Sequence, residues 1–138
     1  MVPVFDREPI PGFITALRFR SIQPATLLAE LRTAVDLLSS FDGFVDARLA
    51  RAVDDPELIA LTLNWTTVGA YRRALSSYDV KVSVVPLLSR AMDEPTAFEV
   101  LQVSDSEGSV TASGTLAADA GTVSLGEAAA ERVTPEPS

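Results

Sequence analysis

One stretch of the sequence combines side chains that could bind a flat, oxygen-bearing molecule. Asn64 and Trp65 are adjacent, and Tyr71 follows six residues after Trp65. An indole offers a large apolar face and one N–H donor, and an amide can orient a carbonyl or phenolate oxygen. Arg18, far upstream, adds a cation that could stabilise an oxyanion in a dry site. These four residues are therefore the candidates for catalysis.

Each candidate also has a structural interpretation, which the sequence leaves open. Trp65 can be ordinary core at the end of a strand. Asn64 should face the opposite side of that strand and can make a strand-end hydrogen bond. Arg18 can pair with Asp46 or Glu99 across the sheet, or it can lie at a dimer interface.

The residue types that are absent exclude several chemistries. The chain has no histidine and no cysteine, which removes the commonest general base, thiolate catalysis, disulfides and the usual haem ligand. Tyr71 is a poor base, because a phenol ionises only near about pH 10, so packing is an alternative role for it. No carboxylate pair has a spacing typical of acid–base catalysis or a metal site. We therefore expect no metal and no cofactor.

Composition and charge indicate a globular domain followed by an acidic tail. The formal net charge is −8 over 138 residues, which disfavours nucleic acid and anionic membrane surfaces as partners. From residue 104 onward the chain has no aromatic residue, and six acidic side chains face one basic side chain. Such a segment buries too little apolar surface to offset its chain entropy. The sequence predicts one domain over 1–103 and a disordered tail over 104–138.

The N-terminal residues indicate no export signal, because they lack a basic start followed by an apolar run. No apolar run approaches the roughly 18 residues of a membrane span. We therefore expect a cytoplasmic protein without a membrane partner.

Hydrophobic periodicity and turn residues divide the predicted domain into strands and helices. The predicted elements are a strand over 13–20, a helix over 24–39, strands over 44–53 and 58–65, a helix over 68–75, an irregular segment over 77–92 and a strand over 96–103. Pro24 suits the first turn of a helix, and Pro86 should start a new helical turn. Thr66 or Thr67 is expected to cap the second helix.

The order β-α-β-β-α-β is the ferredoxin-like α+β arrangement, with helices on one face of a four-stranded sheet. The second face would then be open. Apolar residues on three strands predict that the open face is apolar too: Leu17, Phe19, Val45, Leu49, Leu61 and Leu63. Because a monomer would expose a large apolar patch, the sequence predicts a homodimer that packs sheet against sheet.

Several motifs follow one another between residues 13 and 103. They are Asp42-Gly43-Phe44-Val45, Leu63-Asn64-Trp65-Thr66-Thr67 and Phe98-Glu99-Val100-Leu101-Gln102-Val103. In this order they resemble the antibiotic biosynthesis monooxygenase superfamily, whose members are dimeric α+β barrels. The resemblance implies that fold and a pocket beside Trp65, but no particular reaction.

Activities in that superfamily include cofactor-independent oxygenation of polycyclic phenols, haem degradation, and isomerase- or decarboxylase-like reactions. Many members carry a histidine in the second helix, where this chain has Ala70-Tyr71-Arg72-Arg73-Ala74. Without an imidazole ligand, haem degradation is not expected. The resemblance implies a cofactor-independent monooxygenase for a small aromatic or polyketide-like molecule. The alternative is a homodimer that binds a small hydrophobic molecule or has a structural role, without catalysis.

Overall fold

The computed structural model describes residues 12–111, which form a four-stranded sheet with helices on one face and a separate two-stranded hairpin. The elements are β1 (Phe13–Arg20), α1 (Pro24–Leu38), β2 (Phe44–Ala52), β3 (Asp55–Trp65), α2 (Val68–Leu75), α3 (Tyr78–Ser83), α4 (Val85–Leu88), β4 (Ala97–Glu99), β5 (Gln102–Asp105) and β6 (Gly108–Thr111). The main sheet has the order β2-β3-β1-β4, and all its neighbours are antiparallel. This is the predicted ferredoxin-like α+β arrangement.

Alternation along the two central strands decides which side chains the helices cover. β1 and β3 pair in register from Phe13 with Trp65 to Arg20 with Leu58. Because successive side chains point to opposite faces, one set on each strand is buried. The buried set is Phe13, Thr15, Leu17, Phe19, Ile59, Leu61, Leu63 and Trp65. We call this side the covered face and the other side the open face.

The helices form where their apolar residues recur at helical spacing. α1 has Pro24 in its first turn, as predicted, and buries one stripe against the sheet. That stripe is Leu27, Leu31, Ala34 and Leu38. Pro86 lies in the first turn of α4, which confirms the predicted restart. None of the helices between residues 12 and 111 is long and apolar enough to cross a membrane.

A glycine holds α2 against the end of the sheet. Gly43 has a φ of 90°, and a Cβ there would lie 2.4 Å from the Cβ of Ala70 in α2. Its carbonyl oxygen accepts the N–H of Thr66 at 2.8 Å. The Thr67 hydroxyl oxygen accepts the N–H of Ala70 at 3.0 Å, which confirms Thr67 as one of the two expected caps. Together these contacts place Tyr71 over the covered face.

The predicted last strand over 96–103 is wrong in its extent. Only Ala97–Glu99 forms a strand in register with β1. The N–H of Val100 still donates to the carbonyl oxygen of Gly12 at 3.0 Å, and the chain then leaves the sheet. β5 and β6 then pair with each other through a turn that ends at Gly108. The main-chain groups of Gln102–Asp105 find their partners locally in this hairpin, so they do not extend the main sheet. The rest of the predicted tail lies outside the described residues.

The expectation of an apolar open face is wrong in its premise. Leu17, Leu61 and Leu63 all lie on the covered face, where Leu49 packs beside them. The open face instead mixes small apolar side chains with polar and charged ones, because β1 and β3 alternate the two types along their length. Its members on β1, β2 and β3 are Ile14, Ala16, Arg18, Arg20, Asp46, Arg48, Ala50, Leu58, Ala60, Thr62 and Asn64.

Candidate functional site

Four aromatic side chains meet on the covered face at the end of β3. The rings of Phe44 and Trp65 lie edge to face with centroids 5.3 Å apart. Tyr71 lies 5.6 Å from Trp65 and 5.2 Å from Phe13. Trp65 is 0% exposed and Tyr71 is 1% exposed. We call these four residues the aromatic cluster, and their rings offer the faces and edges that a flat ligand would contact.

Two buried polar atoms on the covered face lack a hydrogen-bond partner. They are Nε1 of Trp65 and Oγ1 of Thr15. Leaving a buried donor or acceptor unsatisfied costs about 1–3 kcal/mol, and most such atoms in native proteins are satisfied. Thr15 is not among the candidates that residue type and spacing indicate. Its place in the alternating strand pattern showed that it is covered, but nothing in the sequence showed that its hydroxyl lacks a partner.

Burial sets the protonation state of the one tyrosine in the cluster. Removing the phenol from water penalises its charged form, so burial raises the pKa of Tyr71. At neutral pH the side chain is therefore a neutral phenol. It can donate a proton or a hydrogen bond, but it cannot serve as a general base.

The two remaining candidates lie on the open face and already have polar partners. Arg18 makes two hydrogen bonds of 2.9 Å to the carboxylate of Glu94. The Glu94 hydrogen bond raises the pKa of Arg18, and the same bond lowers the pKa of Glu94. Asn64 donates its side-chain N–H to Asp46. Arg18 therefore forms an ion pair, which is the structural alternative to catalysis, but its partner is neither Asp46 nor Glu99.

The structure thus divides the four predicted site residues into two pairs. Trp65 and Tyr71 touch each other beneath the helices. Arg18 and Asn64 lie on the opposite side of the same sheet, as alternation predicted for Asn64. A molecule that contacts the Trp65 indole beneath the helices cannot also contact Arg18 or Asn64 of the same chain.

Two grooves open at the edges of α1, away from the aromatic cluster. The α1–β2 groove has a volume of about 300 Å³ and is lined by Leu28, Arg32, Val35, Asp36, Ala47, Leu49, Ala50 and Arg51. The α1–α4 groove has a volume of about 430 Å³ and is lined by Glu30, Thr33, Ala34, Leu37, Ser83, Val84, Pro86, Leu87 and Arg90. Neither groove includes any of the four predicted site residues. No three acidic side chains within residues 12–111 lie close enough together to hold a metal ion.

Comparison with known proteins places this architecture among solved structures. No family model and no curated protein matches the sequence. The cofactor-independent oxygenase SnoaB from Streptomyces nogalater matches with a TM-score of 0.53 and 22% identity, over 77% of this chain and 97% of SnoaB. A putative antibiotic biosynthesis monooxygenase from Deinococcus radiodurans matches with a TM-score of 0.53 and 22% identity, over 63% of this chain and 90% of that one.

A third solved structure matches with lower sequence identity and over a similar share of both chains. A putative antibiotic biosynthesis monooxygenase from Nitrosomonas europaea matches with a TM-score of 0.52 and 12% identity, over 75% of this chain and 94% of that one. At these identities the similarity establishes the fold and not the reaction. The chain therefore has the ferredoxin-like α+β fold of solved structures named antibiotic biosynthesis monooxygenases.

Proposed function

We propose that this protein is a cofactor-independent monooxygenase whose substrate is a small aromatic or polyketide-like molecule bound against the aromatic cluster. The observation that carries the proposal is the unpartnered Nε1 of Trp65, a buried hydrogen-bond donor among aromatic rings. A substrate oxygen placed beside it would satisfy this donor. The fold shared with a cofactor-independent oxygenase supports the same class of reaction.

The reaction needs no redox group on the protein. An anthrone-type substrate enolises to a phenol, and its anion is electron-rich enough to reduce oxygen directly. The methylene carbon loses its two C–H bonds and gains a C=O bond. One atom of O2 becomes this carbonyl oxygen and the other leaves as water, so the substrate supplies all four electrons. The protein supplies an apolar slot, a donor for the anion and exclusion of bulk water.

The chain's own residues support the anion without a strong base. The sequence has no histidine, and Tyr71 stays protonated because burial raises its pKa. Because none of the four residues of the aromatic cluster is a base at neutral pH, the substrate gives its first proton to water before the site closes over it. The indole N–H of Trp65 donates to the resulting oxyanion, which favours its charged form and lowers the pKa of the bound substrate. Tyr71 is a second donor beside it.

The packing of the cluster also favours a second candidate, a homodimer that binds or assembles without catalysis. Trp65 and Tyr71 are almost completely buried, so a substrate reaches them only if α2 moves away from the sheet. A cluster that never opens is core, and it catalyses nothing. On this alternative, Trp65 fluorescence either ignores aromatic ligands or responds to them without any chemical product.

Oxygen uptake distinguishes the two candidates. The full-length protein is mixed with a panel of anthrone- and hydroquinone-type compounds, and oxygen consumption and quinone formation are followed together. We expect equimolar consumption and product, and a loss of about a hundredfold in kcat/KM for Trp65→Phe, as for removal of one oxyanion donor. Tyr78→Phe is the control, because Tyr78 is 77% exposed. Uptake at the buffer rate across the panel would exclude the oxygenase and leave the second candidate.

We further propose that the protein is a homodimer, with a second copy covering the open face and the hairpin. Two strands of four residues are marginal alone in water, and Phe98 and Leu101 beside them are 44% and 58% exposed. Sedimentation velocity tests this. We expect a dimer for the parent, a monomer for Leu101→Asp, and a dimer for Val53→Asp at the exposed β2–β3 turn. A folded monomer of the parent at micromolar concentration would refute the proposal.

A further inference from the structure

We propose that the α1–β2 groove is a binding site for a small aromatic carboxylate, in which Arg32 and Arg51 hold the carboxylate and an apolar floor holds the ring. The groove is formed by one side of α1 and by the edge strand β2, where Ala47, Leu49 and Arg51 lie on the covered side and Ala50 on the open side. None of its lining residues belongs to the aromatic cluster. The site therefore stands independently of the proposed oxygenase.

The floor of the groove is apolar and only half-buried. Leu28 and Val35 come from α1, and Ala47 and Leu49 come from β2; all four pack against the buried core. The volume of about 300 Å³ lies at the lower end of the range of about 300–1,000 Å³ that is usual for small-molecule sites. The floor can therefore bury one aromatic ring or two fused rings, and the gain comes from the apolar area removed from water.

The arginines at the rim have no carboxylate partner of their own. Neither Arg32 nor Arg51 makes a side-chain hydrogen bond or an ion pair within the part of the chain that the structure describes. Of the other six arginines within residues 12–111, Arg18, Arg20 and Arg90 each hold a carboxylate at 3.3 Å or less. Arg48, Arg72 and Arg73 are unpaired as well within this range, but they do not line a groove with an apolar floor. In a chain of net charge −8, two unpaired guanidinium groups beside an apolar floor leave a local site for an anion.

The one acid in the groove lies at its other end. β1 and β2 both pair antiparallel with β3, so they run in the same direction, and the connecting helix α1 runs opposite to both. Arg51, near the end of β2, therefore lies toward the N-terminal half of α1. Asp36 lies one turn beyond Arg32, about 6 Å further along the helix axis, beside the start of β2. The positive charge is concentrated at the Arg51 end.

This distribution selects the ligand and its orientation. A carboxylate can accept two parallel N–H hydrogen bonds from a planar guanidinium. Such charge-assisted hydrogen bonds are stronger than those between neutral groups. A neutral aromatic amide would gain only the contact with the floor. An aromatic cation would be repelled by the two arginines. We therefore expect the carboxylate to point toward Arg51 and the ring to lie across Leu49 toward Ala47.

The test uses 2-naphthoate as the probe and the full-length protein labelled with nitrogen-15. Amide chemical shifts are followed during titration, with 2-naphthamide as the uncharged control of nearly the same shape. We expect saturable shifts in residues 28–36 and 47–51, and affinity for the amide that is about tenfold lower. Equal affinity for the two probes would overturn the proposal, as would the absence of saturable shifts up to the solubility of the probe.

Substitutions test the two arginines directly. Arg32→Gln and Arg51→Gln should each weaken 2-naphthoate binding by about tenfold, while Arg72→Gln on exposed α2 should change it by less than about twofold. Affinity losses no larger than that of Arg72→Gln would overturn the assignment. Shifts confined to the neighbours of Trp65 would also overturn it, and they would support the proposed oxygenase pocket instead. The two proposals therefore fail separately.

Discussion

The two faces of the sheet come from the same strands, but they differ in burial, charge and hydrogen bonding. On the covered face, Leu61 and Trp65 are completely buried, and none of the eight buried side chains of β1 and β3 is charged. On the open face, Arg18 pairs with Glu94 and Asn64 with Asp46, all at least partly in contact with water. One residue of displacement along a strand separates these two environments.

The contrast shows which face can favour a developing anion. A hydrogen-bond donor is worth far more where water is excluded, because water neither screens nor replaces it. Trp65 Nε1 meets that condition, whereas the Arg18 guanidinium is solvated and already neutralised. Charged residue types drew attention to the open face in the sequence, but burial gives the covered face the better environment for the proposed reaction.

Shortening one covered side chain should have the largest effect on stability. Leu61→Ala removes a completely buried leucine and should lower the free energy of unfolding by about 2–5 kcal/mol. Thr62→Ala, on the next residue and the open face, should cost about 1 kcal/mol or less. Urea unfolding of the two variants measures both. Equal losses would mean that the open face is as tightly packed as the covered one.

Disrupting the contact that holds α2 over the covered face should lower the free energy of unfolding nearly as much. Gly43→Ala forces a positive φ on a residue with a Cβ and drives that atom into Ala70, so it should cost about 2–4 kcal/mol. Gly12→Ala is the control, because the nearest atom to its new Cβ is 3.8 Å away. Thermal unfolding of both variants provides the comparison. A neutral Gly43→Ala would show that α2 can shift freely, which would make access to Trp65 easier than proposed.

Burial of Tyr71 should limit stability at alkaline pH. Its folded-state pKa is raised, so the native protein keeps this proton while the unfolded chain loses it above about pH 10. The contribution of the Tyr71 proton to the free energy of unfolding is complete below that pH, and it falls by about 1 kcal/mol per pH unit above it. Urea unfolding between pH 9 and pH 11 should show the decline, and Tyr71→Phe should remove it. An identical decline in Tyr71→Phe would contradict the assignment.

Replacing the unpartnered hydroxyl on the covered face should change the free energy of unfolding by a smaller amount and in the opposite direction. Thr15→Val keeps the shape of the side chain and removes a buried oxygen without a hydrogen bond. It should raise the free energy of unfolding by about 1 kcal/mol. A loss of stability in urea unfolding would instead mean that the hydroxyl has a partner, such as a bound water molecule.

The ion pair on the open face should affect the pKa of Glu94 more than the free energy of unfolding. The hydrogen bond from Arg18 lowers the pKa of Glu94, so Arg18→Gln should move it back toward the ordinary carboxyl range near about 4.3. The pair stabilises the fold above the pKa of the unfolded state, and the effect is lost as pH falls through the folded one. Carbon-detected NMR titration measures the shift. No change at Glu94 would show that the pair does not persist in solution.

Much of the fold could be predicted from the sequence because its signals are local. Pro24 and the leucine spacing define α1, and the predicted bounds of α2 match Val68–Leu75. The last strand could not be predicted in the same way. Residues 96–103 have strand-forming composition throughout, and only the competing local pairing of β5 with β6 shows that the chain leaves the sheet after Val100.

Only two members of the aromatic cluster, Trp65 and Tyr71, were among the residues predicted from the sequence, and the arrangement of the cluster was not predictable. Trp65 and Tyr71 stand out by residue type, and their contact required α2 to fold back over the end of β3. Arg18 stands out for the same reason, yet its partner Glu94 lies 76 residues away and no local pattern connects them. Thr15 carries no chemical signal of its own, because lack of a partner is a property of its surroundings.

The sequence by itself determined which chemistries are excluded, since a chain without histidine or cysteine lacks those side chains in any conformation. It also determined the periodicities, and therefore the strands, helices and the ferredoxin-like order. Only the tertiary structure decided which of the two alternating sets of side chains on each strand faces the helices. Trp65 is therefore buried away from water, while Asn64 is in contact with it. Both arrangements satisfy the backbone equally well, and packing against α1 and α2 chooses between them.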